Sequence, residues 1–450
     1  MKTLKLIKIR FLYCTYLIAL LFTAFSNAAN PIDILSMKER AQFIDNMTDL
    51  RIKTLMPKLM NEHNIDMWIL ISREYNEDPI VKTMLPATWL SARRTTILMF
   101  ARNKNNKVDA WAIAPYKIGN SFKKGWDKTT EPNQWQALNA LITKYQPDNI
   151  ALNTSTHWAH ADGLTVGDQQ RFLANLPQPY HNKIISSEPL AIAWLEQRIA
   201  PEVEMYKNIV AIAHEIIAEG FSTKAITVGE TTSDDLVWWF RERIRQLKLQ
   251  TWFHPSVAIQ RADNKQFDHE QSFTNGYNDK VIRAGDLLHV DFGITYLRLN
   301  TDTQQHAYIL KPEETQAPAY LVNAFNSANK LQDIFTAEFK AGKTGNQVLA
   351  AARRKAIAQG LKPTIYTHPL GYHGHAAGTT LGMWDSQQGV AGDGDYPLHL
   401  NTAYSIELNN AVFIKPWNKE IRIMLEEDAF FDNTGVWYLN SRQTKLILIK

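Results

Sequence analysis

The segment formed by residues 285–310 constrains the fold of this chain more than any other stretch. An apolar run at residues 287–290 ends on Asp291, so a buried strand would deliver a carboxylate into the interior. Asp302 follows eleven residues later, just before a second strand-like run. Two carboxylates offered by neighbouring strands suit a divalent cation or a shared proton. Two aspartates in surface turns are the alternative for this segment alone.

Two further carboxylates accompany strand-like runs near the end of the chain. Glu407 stands between two apolar residues, and Glu426 follows the largely apolar residues 421–425. A buried carboxylate is costly unless it is paired or coordinated. The same reasoning that applies to the first pair therefore predicts a polar or metal-binding site here.

A glycine-rich stretch with three histidines lies between the two carboxylate pairs. It contains His368, His373 and His375, and Gly378 follows the last of them by three residues. A set of two Asp, one His and two Glu is rich in oxygen ligands, which suits pairs of Mn²⁺, Co²⁺ or Zn²⁺ better than a structural zinc site. We expect these histidines to lie in a loop.

This ordered set resembles the pita-bread metallopeptidases (family M24), which include methionine aminopeptidase, Xaa-Pro aminopeptidase, prolidase and the creatinase branch. The ligand order of that family is Asp, Asp, His, Glu, Glu. Its two aspartates are spaced as Asp291 and Asp302 are, and a glycine follows its histidine as Gly378 follows His375. Its glutamates lie in Ile-Glu and Arg-Ile-Glu-Glu-Asp strands, which residues 406–407 and 422–428 match. The resemblance is detailed in the C-terminal half and general in the N-terminal half.

The resemblance implies an α/β (α+β) protein with two domains. An N-terminal creatinase-like α/β domain would cover residues 29–197, and a pita-bread catalytic domain with pseudo-twofold symmetry would cover residues 198–450. The residues themselves alternate helix and strand signals from residue 30 to about residue 195, which favours an α/β layer in the first half.

The resemblance also implies a function. It predicts a dinuclear, metal-dependent peptidase that hydrolyses short peptides, as an aminopeptidase or dipeptidase with Xaa-Pro preference, by attack of a metal-bridging hydroxide. Mn²⁺ is the expected metal, with Co²⁺ or Zn²⁺ as alternatives. By the family pattern the bridging ligands are Asp302 and Glu426, the ligands of one ion are His375 and Glu407, and the ligand of the other ion is Asp291. Glu407 would also move the proton of the attacking water to the leaving amine.

Two details of this assignment depend on neighbouring residues. Glu427 is the alternative to Glu426, but side chains alternate in direction along a strand, and the family pattern fits the first glutamate. The related enzymes also carry a non-ligand histidine ahead of their first metal-binding aspartate. His269 matches it, with His254 as the alternative, and would hydrogen-bond the substrate amide or the developing oxyanion.

One departure from the family concerns the histidine that the related enzymes place seven residues after the ligand. Gly382 stands at that position, and the nearest counterpart of the usual His-acid pair is Trp384 with Asp385. His368 or His373 could supply the missing donor. The Xaa-Pro preference is therefore implied by the family and not by these residues.

Residues 1–28 are predicted to be a secretory signal peptide. Four basic residues precede an apolar stretch at residues 11–25, and Ser-Asn-Ala at residues 26–28 offers a cleavage site. An uncleaved membrane anchor is the alternative, although the apolar run is short for a span. Cleavage would remove four of the 49 basic residues and none of the 45 acidic ones, which leaves a formally neutral chain and excludes nucleic acid as a partner. It would also remove the only cysteine, which favours the periplasm of a bacterium. No later segment is long and apolar enough to cross a membrane, so we expect no membrane attachment after cleavage.

Other functions stay open. A hydrolase of a non-peptide C–N substrate on the same scaffold is one alternative, and a catalytically silent binding protein is another. The resemblance implies a short peptide as the substrate and a homodimer or higher homo-oligomer as the assembly. His157 and His160 in the first half are expected to be packing and surface residues, with a substrate-gating role as the alternative.

Overall fold

The computed structural model describes residues 33–266, 268 and 280–450, and residues Ser36–Lys450 form one compact unit. The predicted signal peptide and His269 lie outside the described residues. The α-helices of the described part are α1 (Met37–Glu62), α2 (Pro79–Met84), α3 (Gln134–Tyr145), α4 (Val166–Asn175), α5 (Glu188–Glu196), α6 (Ala200–Gly220), α7 (Ser233–Gln246), α8 (Ala319–Thr336) and α9 (Gly345–Ala358). Within the described ranges, none of these helices has the length and apolar character that a membrane span requires.

The β-strands are numbered in chain order. In the first half they are β1 (Met67–Arg73), β2 (Thr95–Arg102), β3 (Val108–Ile113), β4 (Lys123–Lys124), β5 (Ile150–Leu152) and β6 (Ile184–Ser186). In the second half they are β7 (Ser256–Gln260), β8 (Leu287–Phe292), β9 (Thr295–Tyr296), β10 (Leu299–Asn300), β11 (Thr303–Ile309), β12 (Pro363–Ile365), β13 (His368–Leu370), β14 (Thr402–Ile414), β15 (Lys419–Asp432), β16 (Gly435–Tyr438) and β17 (Ile447–Ile449).

The first half of the chain forms a mixed sheet with the strand order β4-β3-β2-β1-β5-β6. Strand β1 is antiparallel to β2 and parallel to β5. Alternate residues of β1 enter two different hydrophobic clusters: Trp68 and Leu70 join one, and Met67 and Ile69 join the other. Both faces of this sheet are therefore covered, as the run of apolar residues in β1 predicts.

The second half forms a nine-stranded sheet with the main order β12-β14-β15-β11-β8-β7, to which β13, β16 and β17 add at the sides. The long strands β14 and β15 pair over their whole length as a hairpin. Leu408 and Leu425 lie opposite each other in this hairpin and are both buried in apolar clusters. Because side chains alternate along a strand, the next pair, Glu407 and Glu426, points to the other face.

Met205, Ile209, Ile212 and Ile216 recur at helical spacing, which predicts an apolar stripe on helix α6. The three isoleucines are buried, Met205 is partly buried, and the helix ends at Gly220. Helix α7 begins after Thr232, whose side chain accepts a hydrogen bond from the backbone N–H of Asp235 in a capping box. The predicted boundary at residues 197–198 falls between α5 and α6, and the two-domain division stays a prediction.

A buried ion cluster lies where the two halves meet. Arg51 of α1 donates to Glu202 of α6 at 2.6 Å, and Arg198 lies 3.5 Å from the same carboxylate. All three side chains are almost completely buried. The ring of Tyr372 lies 5.2 Å from the guanidinium of Arg51 and 4.7 Å from that of Arg198. The cluster thus connects α1 and α6 to the segment that carries the three histidines.

Candidate metal centre

The carboxylates of the second half meet because the strand register aligns them. Asp291 of β8 lies opposite Gln304 of β11, Gln304 lies opposite Glu426 of β15, and Glu426 lies opposite Glu407 of β14. Residues that face each other across strands point to the same face of a sheet. These four side chains therefore form a single row across four strands, and Asp302 joins them from the residue that precedes β11.

The structure brings six predicted site residues into three overlapping groups. Within each group the ligand atoms lie within 4.8 Å of one another. The groups are Asp302 with His368 and His375, His368 with Glu407 and Glu426, and Asp291 with Asp302 and Glu426. Asp302, His368 and Glu426 each belong to two groups. Of these three, Asp302 and Glu426 carry carboxylates, whose two oxygens allow one side chain to contact two cations.

His368 lies closer to the carboxylates than the sequence pattern indicated. The predicted loop is wrong at this residue, because His368 begins strand β13 and pairs with Ser405 of β14. Its Nε2 lies 3.5 Å from Oδ2 of Asp302 and 3.9 Å from Oε1 of Glu426. The structure therefore places His368 among the ligand-type groups, and not only beside them as a possible donor.

His375 approaches the same carboxylates from the more exposed side. Its ring centroid lies 4.7 Å from that of His368 and 5.1 Å from that of Trp252. The preceding residue, Gly374, packs against the Trp252 ring so closely that a Cβ atom there would collide with it. Because residue 374 is a glycine, the backbone of the segment that carries His373 and His375 can contact the Trp252 ring directly.

The electrostatics of the row indicate what it can hold. Burial raises the pKa of Asp291, Asp302 and Glu407 well above the usual carboxyl range, and repulsion from Glu426 adds to each shift. Burial also raises the pKa of Glu426 to about 7, against the hydrogen bonds donated to it by Ser405 and Gln304. Four carboxylates in one buried site repel one another unless positive charge offsets them.

Within the ligand-type groups, two buried atoms lack a hydrogen-bond partner among the described residues. They are Nε2 of His368 and Oδ1 of Asp291, both of which belong to the ligand-type groups. Burial lowers the pKa of His368 to about 3, so its imidazole is neutral and can act as a ligand at pH 7. Three features of the site therefore fit divalent cations: most of its donor atoms are oxygens, two of its buried atoms lack a hydrogen-bond partner in the described part of the chain, and four carboxylates lie close together.

Glu427 faces away from the row. Its Oε1 accepts hydrogen bonds from the backbone N–H of Gln443 at 2.7 Å and from Nε2 of Gln305 at 3.2 Å. Its Oε2 lies 2.8 Å from Nε2 of His214 in α6. Neighbouring residues of a strand point to opposite faces of the sheet, and here Glu426 faces the other carboxylates while Glu427 faces away from them.

Gln304 also belongs to the site, although no sequence motif indicated it. Its Nε2 donates to Oε1 of Glu407 at 3.0 Å and to Oε2 of Glu426 at 2.8 Å, and the residue is almost completely buried. The available signal was its position two residues after Asp302 at the start of a strand, since alternate residues share a face. An uncharged side chain at that position is not by itself a sign of a metal site, because the charged residues nearby are the usual ligands.

A comparison with protein-family models identifies the family to which this chain belongs. The family model of metallopeptidase family M24 matches residues 204–430, slightly more than half of the chain, and all six residues of the three groups lie within that range. The chain belongs to metallopeptidase family M24. No match was found among curated proteins.

Solved structures of M24 peptidases share the fold over nearly their whole length. The X-Pro aminopeptidase of Thermotoga maritima MSB8 is 16% identical, with a TM-score of 0.58, over 87% of this chain and 99% of that one. The prolidase of Pyrococcus horikoshii OT3 is 14% identical, with a TM-score of 0.54, over 91% and 100%. The Xaa-Pro dipeptidase of Bacillus anthracis is 16% identical, with a TM-score of 0.52, over 92% and 100%. At these identities the likeness shows the fold, and the predicted pita-bread class is confirmed.

The structure accounts for the missing family histidine. Gly382 has a φ of +78°, and a Cβ atom there would collide with the carbonyl oxygen of Ile365. No side chain fits at this position without moving the backbone. Trp384, the nearest counterpart of the family pair, lines a narrow cleft beside Glu407 together with Tyr366.

The other predicted histidines lie apart from the row. The ring of His373 contacts the ring of His160, with 4.5 Å between the centroids, and burial lowers the pKa of His373 to about 4. His160 comes from the first half of the chain, so this half contributes to the surroundings of the histidine segment. His254 is exposed and accepts a hydrogen bond from Arg241 at 3.0 Å. His269 lies outside the described residues.

Proposed function

We propose that this M24 metallopeptidase is a dinuclear enzyme that hydrolyses short peptides, as an aminopeptidase or dipeptidase with a preference for Xaa-Pro bonds. The observation that carries the proposal is the meeting of four carboxylates and two histidines on one largely buried face of the C-terminal sheet. The substrate preference rests on the names of the similar solved structures, which include an X-Pro aminopeptidase and a prolidase.

We carry over the ligand assignment of the family pattern to two cations, for which Mn²⁺ is our first choice and Co²⁺ or Zn²⁺ are alternatives. Asp302 and Glu426 would be shared by both cations, and Asp291 would hold one of them. His375 and Glu407 would hold the other, with His368 close enough to contribute. When bound, such cations polarise a carbonyl group and lower the pKa of water, so no covalent nucleophile is needed.

Glu407 is the residue we propose for proton transfer. It is half-buried, whereas the paired Glu426 is almost completely buried. It also lines the narrow cleft that Tyr366 and Trp384 border, and we propose that the substrate approaches the row from this side. From this position it would accept the proton of the attacking water and donate it to the leaving amine. The neutral imidazoles of His373 and His160 would border the bound peptide on the other side of the histidine segment.

We also propose that the protein is exported to the periplasm after cleavage of residues 1–28 and acts as a homodimer or higher homo-oligomer. The leader-like composition of residues 1–28 supports export. The oligomer is carried over from the family pattern.

A panel of peptides tests the function directly. The purified protein, reloaded with Mn²⁺ after chelation, is assayed on Ala-Pro, Ala-Ala, Ala-Pro-Ala and Ala-Ala-Ala by release of free amino acid. We expect hydrolysis that depends on added metal and is faster for the proline peptides. Equal rates on both types would reject the Xaa-Pro preference alone, and no hydrolysis of any peptide would favour a non-peptide C–N substrate or a silent binding protein.

Two neighbouring glutamates provide a matched control for this assay. Glu426→Gln alters a carboxylate that faces the row, whereas Glu427→Gln alters the adjacent residue, which faces α6. Glu426→Gln should abolish metal-dependent hydrolysis, and Glu427→Gln should retain it wherever the variant is folded. Loss of activity in both or in neither would show that the row is not the catalytic site.

A further inference from the structure

Gln304 occupies a special place in the row of carboxylates. It lies between Asp291 on one side and Glu426 on the other, and it is the one residue of the four-strand row whose side chain ends in an amide and not in a carboxyl group. One amide nitrogen donates to two carboxylates, Oε1 of Glu407 and Oε2 of Glu426, at 3.0 and 2.8 Å. An amide N–H₂ has two donors, and both are used here on residues of the ligand-type groups.

The orientation of this amide is fixed from the other end. Oε1 of Gln304 lies 2.9 Å from Nε2 of His289 on the neighbouring strand. Because an amide oxygen only accepts, the histidine nitrogen has to carry the proton and donate it. His289 is itself buried, and its ring packs against that of His306 with 5.1 Å between the centroids. A flip of the amide would place its oxygen against two carboxylates and its N–H₂ against an N–H donor.

Hydrogen bonds of this kind matter for metal sites. Residues that hydrogen-bond to a ligand without touching the metal fix the direction of the ligand's lone pairs, and their replacement typically costs 10–100-fold in metal affinity or activity. Glu407 and Glu426 come from two strands of a hairpin, and Gln304 is the side chain that joins their carboxylates from a third strand.

We propose that Gln304 is a positioning residue for the metal centre, which holds Glu407 and Glu426 in the geometry that binds the cations, and that His289 acts through it by fixing the amide. This inference rests on one part of the proposed function, namely that the row of carboxylates binds cations. Gln304 does not touch the substrate in this account, and its effect is exerted through the two glutamates.

The test compares two adjacent glutamines of the same strand. Gln304→Met removes the amide and keeps a similar volume, whereas Gln305→Met does the same on the opposite face, where Gln305 donates to Glu427 at 3.2 Å. Mn²⁺ binding to each chelator-treated full-length variant is measured by titration calorimetry, and the melting temperature is measured without metal. We expect Gln304→Met to weaken Mn²⁺ binding about 10–100-fold. Gln305→Met should bind Mn²⁺ as the parent does.

The metal-free melting temperature separates positioning from a purely structural role. A positioning role predicts that Gln304→Met and Gln305→Met melt at similar temperatures and differ in Mn²⁺ affinity. If Gln304→Met lowers the melting temperature and leaves the affinity of the folded protein unchanged, the proposal is overturned. The proposal also falls if the parent binds no Mn²⁺.

A double-mutant cycle tests the part assigned to His289, and its His289→Phe single variant still tests the proposal if Gln304→Met does not fold. His289→Phe alone should weaken Mn²⁺ binding, but by less than Gln304→Met. In the Gln304→Met background it should have no further effect on affinity, because the amide through which it acts is gone. Additive effects of the two changes, or a normal affinity in His289→Phe alone, would contradict the proposal. A parent that binds Mn²⁺ and hydrolyses no peptide would reject the proposed function while the affinities still test Gln304.

Discussion

Replacing Glu202 by Gln should destabilise the protein strongly, because this carboxylate neutralises two buried guanidinium groups. Arg51 donates to it at 2.6 Å, Arg198 lies 3.5 Å away, and the backbone N–H of Ile199 donates to it at 3.0 Å. The glutamine oxygen can still accept some of these hydrogen bonds, but the charge that offsets two buried cations is lost. Breaking a buried ion pair by removing one partner typically costs about 3–5 kcal/mol. We expect about 3 kcal/mol, since hydrogen bonding is partly retained.

The assay is denaturation by urea, followed by tryptophan fluorescence and by far-UV circular dichroism. Glu204→Gln is the matched control, because Glu204 lies on the same helix and pairs with Lys207 at 2.8 Å while its side chain is 72% exposed. An exposed pair of this kind contributes about 0.5 kcal/mol or less. A loss below about 1 kcal/mol for Glu202→Gln, or equal losses for the two variants, would refute the reasoning about burial.

Three further predictions concern catalysis, pH and export. Glu407→Gln should lower turnover about 10²–10⁴-fold even when excess metal restores occupancy, the usual contribution of positioned acid–base catalysis; full activity would reject the proton-transfer role. Burial lowers the pKa of His306 from 6.5 to about 4. The folded protein therefore binds fewer protons than the unfolded chain between these values, and the free energy of unfolding should fall by about 3 kcal/mol as the pH decreases through this window. His306→Phe should lack this part of the pH dependence in urea titrations, and an unchanged slope would contradict the assignment. Protein from its native host should begin near Ala29 on N-terminal sequencing, whereas a cytoplasmic chain that retains Met1 would contradict export.

Local patterns were sufficient to predict many elements of the fold. The sequence pattern predicts a helix over residues 134–145 and a strand over residues 150–152, and α3 (Gln134–Tyr145) and β5 (Ile150–Leu152) have these bounds. The sequence pattern indicates a helix over residues 51–62 only, whereas helix α1 starts at Met37. Its first half shows only a weak apolar stripe, and it is stabilised at its start by a capping box in which Ser36 and Glu39 exchange hydrogen bonds.

The site was predictable where it depends on residue type and order, and not where it depends on strand register. Asp291, Glu407 and Glu426 could be selected because carboxylates beside apolar runs are unusual, and Asp302 because its spacing from Asp291 matches the family pattern. The position of His368 could not be, because it follows from pairing with Ser405, thirty-seven residues away in the sequence. Gln304 was missed for the same reason, since its contacts with Glu407 and Glu426 bridge more than a hundred residues.

Metal stoichiometry tests the central claim, a two-cation centre built on one row of a sheet, most directly. The chelator-treated protein is incubated with Mn²⁺, separated from free metal by gel filtration and analysed by inductively coupled plasma mass spectrometry. We predict two Mn²⁺ per chain for the parent and for Glu427→Gln, and fewer for Asp302→Ala, which removes a carboxylate that belongs to two of the three groups. A parent that retains no Mn²⁺, or an Asp302→Ala variant that retains as much as the parent, would contradict the account.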